Sequence, residues 1–260
     1  MKTLTEHSSA VTTNLDNQGV IKRTAVLGYG IFSYAVGCFG LFWLILAAGG
    51  LAPAGLSLWQ ASSPLIAMLT NVGLIGLFGV QHSVMARAGF KKWLTTLLPQ
   101  ATERSTYILM SGVATCTVMY YWQSLPGMVW QVESLSLIIM LSLLYGAGAM
   151  YLLLSTFVTN HFELMGLRQV YLYFIRTPHT ALPFTKAFMY RYSRHPMMLG
   201  MLMLLWATPE MSASRFVLAL LFSIYIAVGM YYEERDLLRS FGHTYRKYKQ
   251  QIAAFIPGIF

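Results

Sequence analysis

The chain has 260 residues, of which 56% are hydrophobic and only 10% charged, with a formal net charge of +9. Soluble domains carry nearer a quarter of charged residues, so this balance points to a polytopic helical membrane protein. Cys38 and Cys116 both fall inside apolar runs, which excludes a disulfide framework or a zinc-finger spacing and leaves two small buried hydrophobes.

Residues 1–24 are polar, show no cleavable-signal pattern and read as a mobile N-terminal arm. Apolar runs follow at about 25–50, 64–85, 105–122 and 135–158, each close to the ~20 residues that cross a bilayer. A fifth run, at 196–208, is short of the ~17 usually required. Pro209-Glu210-Met211-Ser212 turns it into a sixth at 216–232. The expected fold is therefore an all-α polytopic membrane bundle of five to six transmembrane helices. It has a C-terminal helical hairpin and a cytoplasmic pocket. Its organisation is an arm (1–24), a four-helix transmembrane region (25–158), and a module of loop, hairpin and tail (159–260).

Charge placement gives the orientation. Lys22 and Arg23 precede the first run. Arg87, Lys91, Lys92 and Arg104 lie between the second and third. Arg168, Arg176, Lys186, Arg191 and Arg194 lie between the fourth and fifth, and the tail is basic. The alternate loops are nearly uncharged, and Arg215 is the one base among the 18 on their side, at a helix end where it can snorkel. Both termini are therefore expected in the cytoplasm. Topology accounts for the basic excess, and no nucleic-acid partner is needed. The loop of about 35 residues at 159–195 is long enough to suggest a functional segment.

The hairpin carries the chemistry. Arg194-His195-Pro196 marks a helix start, where the missing Pro N–H costs nothing and the positive dipole end favours an anion. An ordinary positive-inside helix start would look the same. Gly200 permits close approach of another group, whether a ligand or a packing helix. Glu233 and Glu234 end the last run, where the dipole prefers cations. They read either as a solvated helix end or as a recognition site for an ammonium group and ribose hydroxyls. A hairpin returns its two ends to one membrane face. Cationic Arg194 and His195 should then meet the two carboxylates, an arrangement suited to a zwitterionic ligand.

These residues carry a resemblance. RHPMMLG followed by EERDLLRSFGHTYRKYKQQIAAFIP resembles the C-terminal signature of the isoprenylcysteine carboxyl methyltransferase superfamily. FGVQHSVMAR, LPQATERSTYIL and NHFELMGLRQV resemble its bacterial branch of methanethiol S-methyltransferases. Phe188-Met189 stands where the prenyl-protein enzymes commonly have Gly-Pro, which points away from a prenylcysteine substrate. The resemblance implies a bacterial inner-membrane enzyme that methylates a small thiol using S-adenosyl-L-methionine. It implies that Tyr190, Arg194, His195, Pro196, Gly200, Glu233, Glu234 and Tyr245 bind that cofactor.

A thiol reacts as its thiolate, so a base is needed. His161 and His82 are the candidates, with a tyrosine polarised by Arg168 as another. No metal is expected, because the histidines lack an HExxH-type spacing. Two further classes stay open. One is a related methyltransferase acting on a prenylcysteine or lipid carboxylate, and the other is a non-enzymatic membrane binder of small molecules.

Overall fold

The computed structural model describes residues 3–55, 60–180, 182 and 186–256, with side chains from Gly19 onward. Helices dominate: α1 (Thr3–Ala48), α2 (Pro64–Met85), α3 (Ala88–Leu97), α4 (Glu103–Tyr121), α5 (Leu135–Val158), α6 (His161–Leu164), α7 (Leu167–Phe174), α8 (Pro196–Trp206) and α9 (Ala213–Gln251). Of the arm expected over 1–24, residues 1–18 fall outside those with described side chains, and 19–24 are helical within α1.

Among the described residues, four stretches are long and apolar enough to cross a membrane: Gly19–Ala48, Pro64–Met85, Leu135–Val158 and the start of Ala213–Gln251. Their outer faces expose large apolar side chains such as Leu65, Leu143 and Phe157, a surface that lipid covers and water does not. The protein is thus an integral membrane helical protein. The third expected crossing, α4, is less apolar and packs against α1 and α2, turning Ser105 and Thr115 inward. It approaches α1 closely: a Cβ on Gly112 would meet the Val36 carbonyl oxygen at 2.7 Å.

The fifth run is the short helix α8. Its eleven residues rise only about 16 Å at 1.5 Å each. Beyond it, Ala207–Pro209 leave the helix and Glu210–Ser212 form strand β2, antiparallel to β1 (Met128–Gln131), with Gln131 opposite Glu210. This small ladder replaces the simple turn expected at 209–212. It joins two of the nearly uncharged loops at one end of the bundle. The third such loop meets them there, because the Ala61 N–H donates to Gln123 Oε1 at 2.8 Å. Asn71 locks the same end. Its side chain accepts from the Gln123 N–H and donates to the Gln123 carbonyl, at 2.8 and 2.9 Å.

Arg215 does not snorkel. Its Nη2 donates to the Ala48 carbonyl at 2.9 Å and to Thr208 Oγ1 at 2.6 Å, capping the end of α1. Buried apolar side chains including Leu44, Phe78, Met119, Trp122, Leu218 and Phe222 fill the centre of the bundle.

At the opposite end α9 runs well past its apolar part and changes direction at Gly242, where φ is 49° and ψ −119°. Only glycine adopts that conformation freely. The bend returns the tail to the hairpin, and Tyr245 and Tyr248 become buried.

Candidate functional site

The tail builds the site. The N–H groups of Arg194 and His195 donate to the carbonyls of Ala253 and Ala254 at 2.9 and 3.1 Å, and Ser193 Oγ donates to Ala254 O at 3.0 Å. Tyr248 clamps the preceding turn by donating to the Tyr190 carbonyl at 2.6 Å. Burial pushes its hydroxyl up to about 12, against the pull of Arg194. The Arg-His-Pro segment is therefore fixed on both sides before α8 begins, with Pro196 at the first helical turn.

The expected meeting of cations and carboxylates is present. His195 Nε2 lies 3.2 Å from Glu234 Oε1, Arg194 Nη2 lies 3.1 Å from the same oxygen, and Lys249 Nζ donates to Glu234 Oε2. Burial works against the Glu234 carboxylate, but Lys249, His195 and Arg194 outweigh it and hold the carboxyl below its usual range. Glu233 faces the other ring nitrogen of His195, at 3.8 Å. Half of its side chain is accessible, yet the mass of protein around it dehydrates the carboxylate. Its pKa is raised by that burial and by Glu234, with His195 opposing.

The Tyr190 hydroxyl bonds with Thr159. Burial raises its pKa, and the nearby Glu233 charge adds to the effect. Tyr190 thus reaches the end of α5 through Thr159. Tyr245 is 1% exposed and packs beneath the tail with its ring 5.9 Å from that of Tyr248. The close approach expected at Gly200 is made by a helix: a Cβ there would meet the Leu152 nitrogen of α5 at 2.6 Å. Phe188, at the position where prenyl-protein enzymes commonly carry glycine, adopts φ 47°, a left-handed conformation unusual for an aromatic residue.

The donor set fits S-adenosyl-L-methionine. Glu233 offers an accessible carboxylate to a cation, and the buried Arg194 Nε has no hydrogen-bond partner among the described residues. Together they complement a ligand bearing both an ammonium and a carboxylate.

The residues expected to handle the thiol occupy two places. His161 is buried between α5 and α1. Its Nδ1 is 2.8 Å from Thr156 Oγ1, its Nε2 is 3.0 Å from Tyr34 Oη, and Phe157 stacks on its ring. Thr156 already donates to the Leu153 carbonyl, so its oxygen accepts from His161 Nδ1–H and Nε2 accepts from Tyr34. Burial lowers the His161 pKa. Arg168 pairs with Glu163 at 2.7 Å and with Thr180 through two hydrogen bonds. His179 completes the cluster on Glu163 at 2.8 Å. This cluster borders a recess of about 790 Å³, which Thr159, Gln169 and Arg104 also line. The recess neighbours the hairpin site through Thr159 and does not contain His195 or Glu234.

His82 lies elsewhere, on α2. Its Nε2 is 2.5 Å from the Tyr107 hydroxyl and its Nδ1 is 3.0 Å from Ser111 Oγ. Tyr107 and Lys249 did not stand out in the sequence. The available signal was the four-residue spacing of Tyr107 and Ser111, which puts both on one face of α4.

A model of the phospholipid methyltransferase family matches residues 141–244, a span with the hairpin and both carboxylates but neither His82 nor Tyr107. The chain is 40% identical to a methanethiol S-methyltransferase of Crocosphaera subtropica, over 92% of this chain and 94% of that protein. It is 39% identical to one of Mycobacterium tuberculosis, over 91% and 98% respectively. It is also 29% identical to bovine nurim, over 68% and 71%. No solved structure matches significantly.

Proposed function

Because the chain belongs to the methanethiol S-methyltransferase family, we propose that it methylates methanethiol to dimethyl sulfide with S-adenosyl-L-methionine as the methyl donor. The observation that carries this reading is the hairpin site, where Arg194, His195, Glu233 and Glu234 come together on the elements matched by the methyltransferase family model. When bound, S-adenosyl-L-methionine supplies an electrophilic methyl group. Arg194 and Lys249 hold Glu234 ionised, and Glu234 in turn orients His195. Glu233 remains free to receive a cation. Tyr190 fixes the boundary with α5, and Tyr245 and Tyr248 keep the tail closed over the site and exclude water.

His161 and Arg168 act as positioning residues in this reading. Each has its polar atoms engaged by neighbours, His161 at the α5–α6 corner and Arg168 under residues 177–180. The apolar bundle admits a small volatile thiol from lipid or from the 790 Å³ recess. The protein sits in a bacterial inner membrane with both termini cytoplasmic, so the site opens on the compartment that supplies the cofactor. Calorimetric titration of the purified protein with S-adenosyl-L-methionine tests the first half of the reading. Saturable binding supports it, and absence of binding overturns it.

A further inference from the structure

Proton handling is the step those roles leave open. A thiol must lose its proton as it attacks, and the histidine and arginine of the 161–168 segment are engaged elsewhere. The side chains of α2 and α4 hold a second tyrosine–histidine pair, bonded like Tyr34 and His161 but packed against α9, the helix that carries Glu233 and Glu234. Tyr107 Oη is 2.5 Å from His82 Nε2, and His82 Nδ1 is 3.0 Å from Ser111 Oγ. Ser111 can accept from Nδ1–H, which leaves Nε2 as the acceptor of the Tyr107 proton. Phe78 stacks on the His82 ring, and Tyr225 of α9 meets its edge. The ring orientation is therefore set by packing.

The position of Tyr107 links this pair to the hairpin. Tyr225 of α9 meets the His82 ring edge, and Glu233 lies two turns farther along the same helix. Arg87, at the end of α2, pairs with Asp236 at 2.8 Å and lies over the Tyr232 ring, so α2 is fastened to α9 beside Glu233. Arg104, which lines the 790 Å³ recess, places its guanidinium 4.8 Å from the Tyr107 ring centre. Tyr34 and Cys38 of α1 pack against the same cluster. Tyr107 thus sits against Arg104 of the recess on one side and bonds His82 on the other, in the part of the bundle fastened to α9.

We propose that Tyr107 takes the proton of the acceptor thiol while passing its own proton to His82; this rests on the thiol-methylation reading above. As the thiol sulfur forms its new S–C bond, the donor's C–S bond breaks and its electron pair stays on the donor sulfur. In the same step the S–H proton moves to Tyr107 Oη, and the Tyr107 proton moves to His82 Nε2. The imidazolium then releases a proton to solvent. Tyr107 is buried, so a concerted exchange avoids the cost of a full phenolate in the bundle.

The test uses the full-length protein in detergent or vesicles, with Tyr107→Phe and His82→Gln. Both variants should keep cofactor affinity within about threefold by calorimetry. At pH 7 their kcat with methanethiol should fall about 100- to 10,000-fold, the range of a lost general base. The defect should shrink as pH rises and thiolate forms in solution. It should nearly vanish with methaneselenol, which is already ionised at neutral pH. Histidine ¹⁵N spectra give a readout independent of turnover. With a cationic, non-transferable cofactor analogue bound, methanethiol should move the His82 signal toward imidazolium in the wild type but not in Tyr107→Phe. If Tyr107→Phe binds cofactor normally and shows no defect, or an equal defect with the selenol, the proposal is wrong. A wild-type protein inactive on methanethiol would instead overturn the reading beneath it.

Discussion

His195 Nε2 reaches Glu234 Oε1 at 3.2 Å, joining residues 39 apart at the two ends of the hairpin. The folded-back tail reinforces the contact, because Lys249 shares this carboxylate with Arg194 and His195. Removing one partner of a charge-assisted bond costs roughly 1.5–3 kcal/mol. His195→Ala and Glu234→Gln should therefore each weaken S-adenosyl-L-methionine binding by about 10- to 100-fold. Lys249 is not the bystander a tail lysine resembles, and Lys249→Ala should weaken binding by a few-fold. Lys247→Ala should leave it unchanged. Calorimetry on the four variants checks this order, and equal affinities would contradict it.

Acid should loosen the tail. Glu234 is held below its ordinary 4.5 in the folded protein, so its contribution to stability is complete above that value and is lost as pH falls through the folded pKa. Glu233, shifted the other way, takes up its proton first and relieves the repulsion between the two. Hydrogen exchange at the Arg194 and His195 amides, which donate to the tail carbonyls, should show protection at pH 6 that is lost only on acidification below the ordinary carboxylate value of 4.5. In Glu234→Gln that step should be absent.

Gly200 should tolerate no side chain. A Cβ there would meet the backbone of α5 at 2.6 Å, and backbone cannot swing aside. Gly200→Ala should cost about 1–3 kcal/mol and lower the thermal midpoint in detergent. It should weaken cofactor binding only through the displaced start of α8. An unchanged midpoint would mean that the helices are not in contact there.

Reporter fusions test the orientation. Positions 129 and 211 share one end of the bundle through the β1–β2 ladder. Fusions at residues 57, 129 and 211 should all report the periplasm, and those at 91 and 247 the cytoplasm. A cytoplasmic signal at any of the first three would break the arrangement.

Much of this bundle was legible in the residues. Pro64–Met85 and Leu135–Val158 are helices over the spans their apolar runs mark, because Ser63 caps one and no charge interrupts either. The approach of Arg194 and His195 to Glu234 follows from hairpin geometry alone. The strand pair was not legible. Met128–Gln131 shows no alternation of its own, and its partner lies about 80 residues away in sequence. Nor was the Tyr107–His82 contact, which depends on the register of α2 against α4. The bend at Gly242 turns a basic tail into part of the site, and a glycine in a helical pattern does not announce the direction of such a bend.

The central claim is thiol methylation, and headspace gas analysis tests it most directly. Purified protein in vesicles, given methanethiol and S-adenosyl-L-methionine, should release dimethyl sulfide in step with S-adenosylhomocysteine. Omitting either substrate should abolish release, and His195→Ala should sharply reduce it. Saturable cofactor binding with no dimethyl sulfide, or turnover only with a prenylcysteine or lipid carboxylate, would contradict the account.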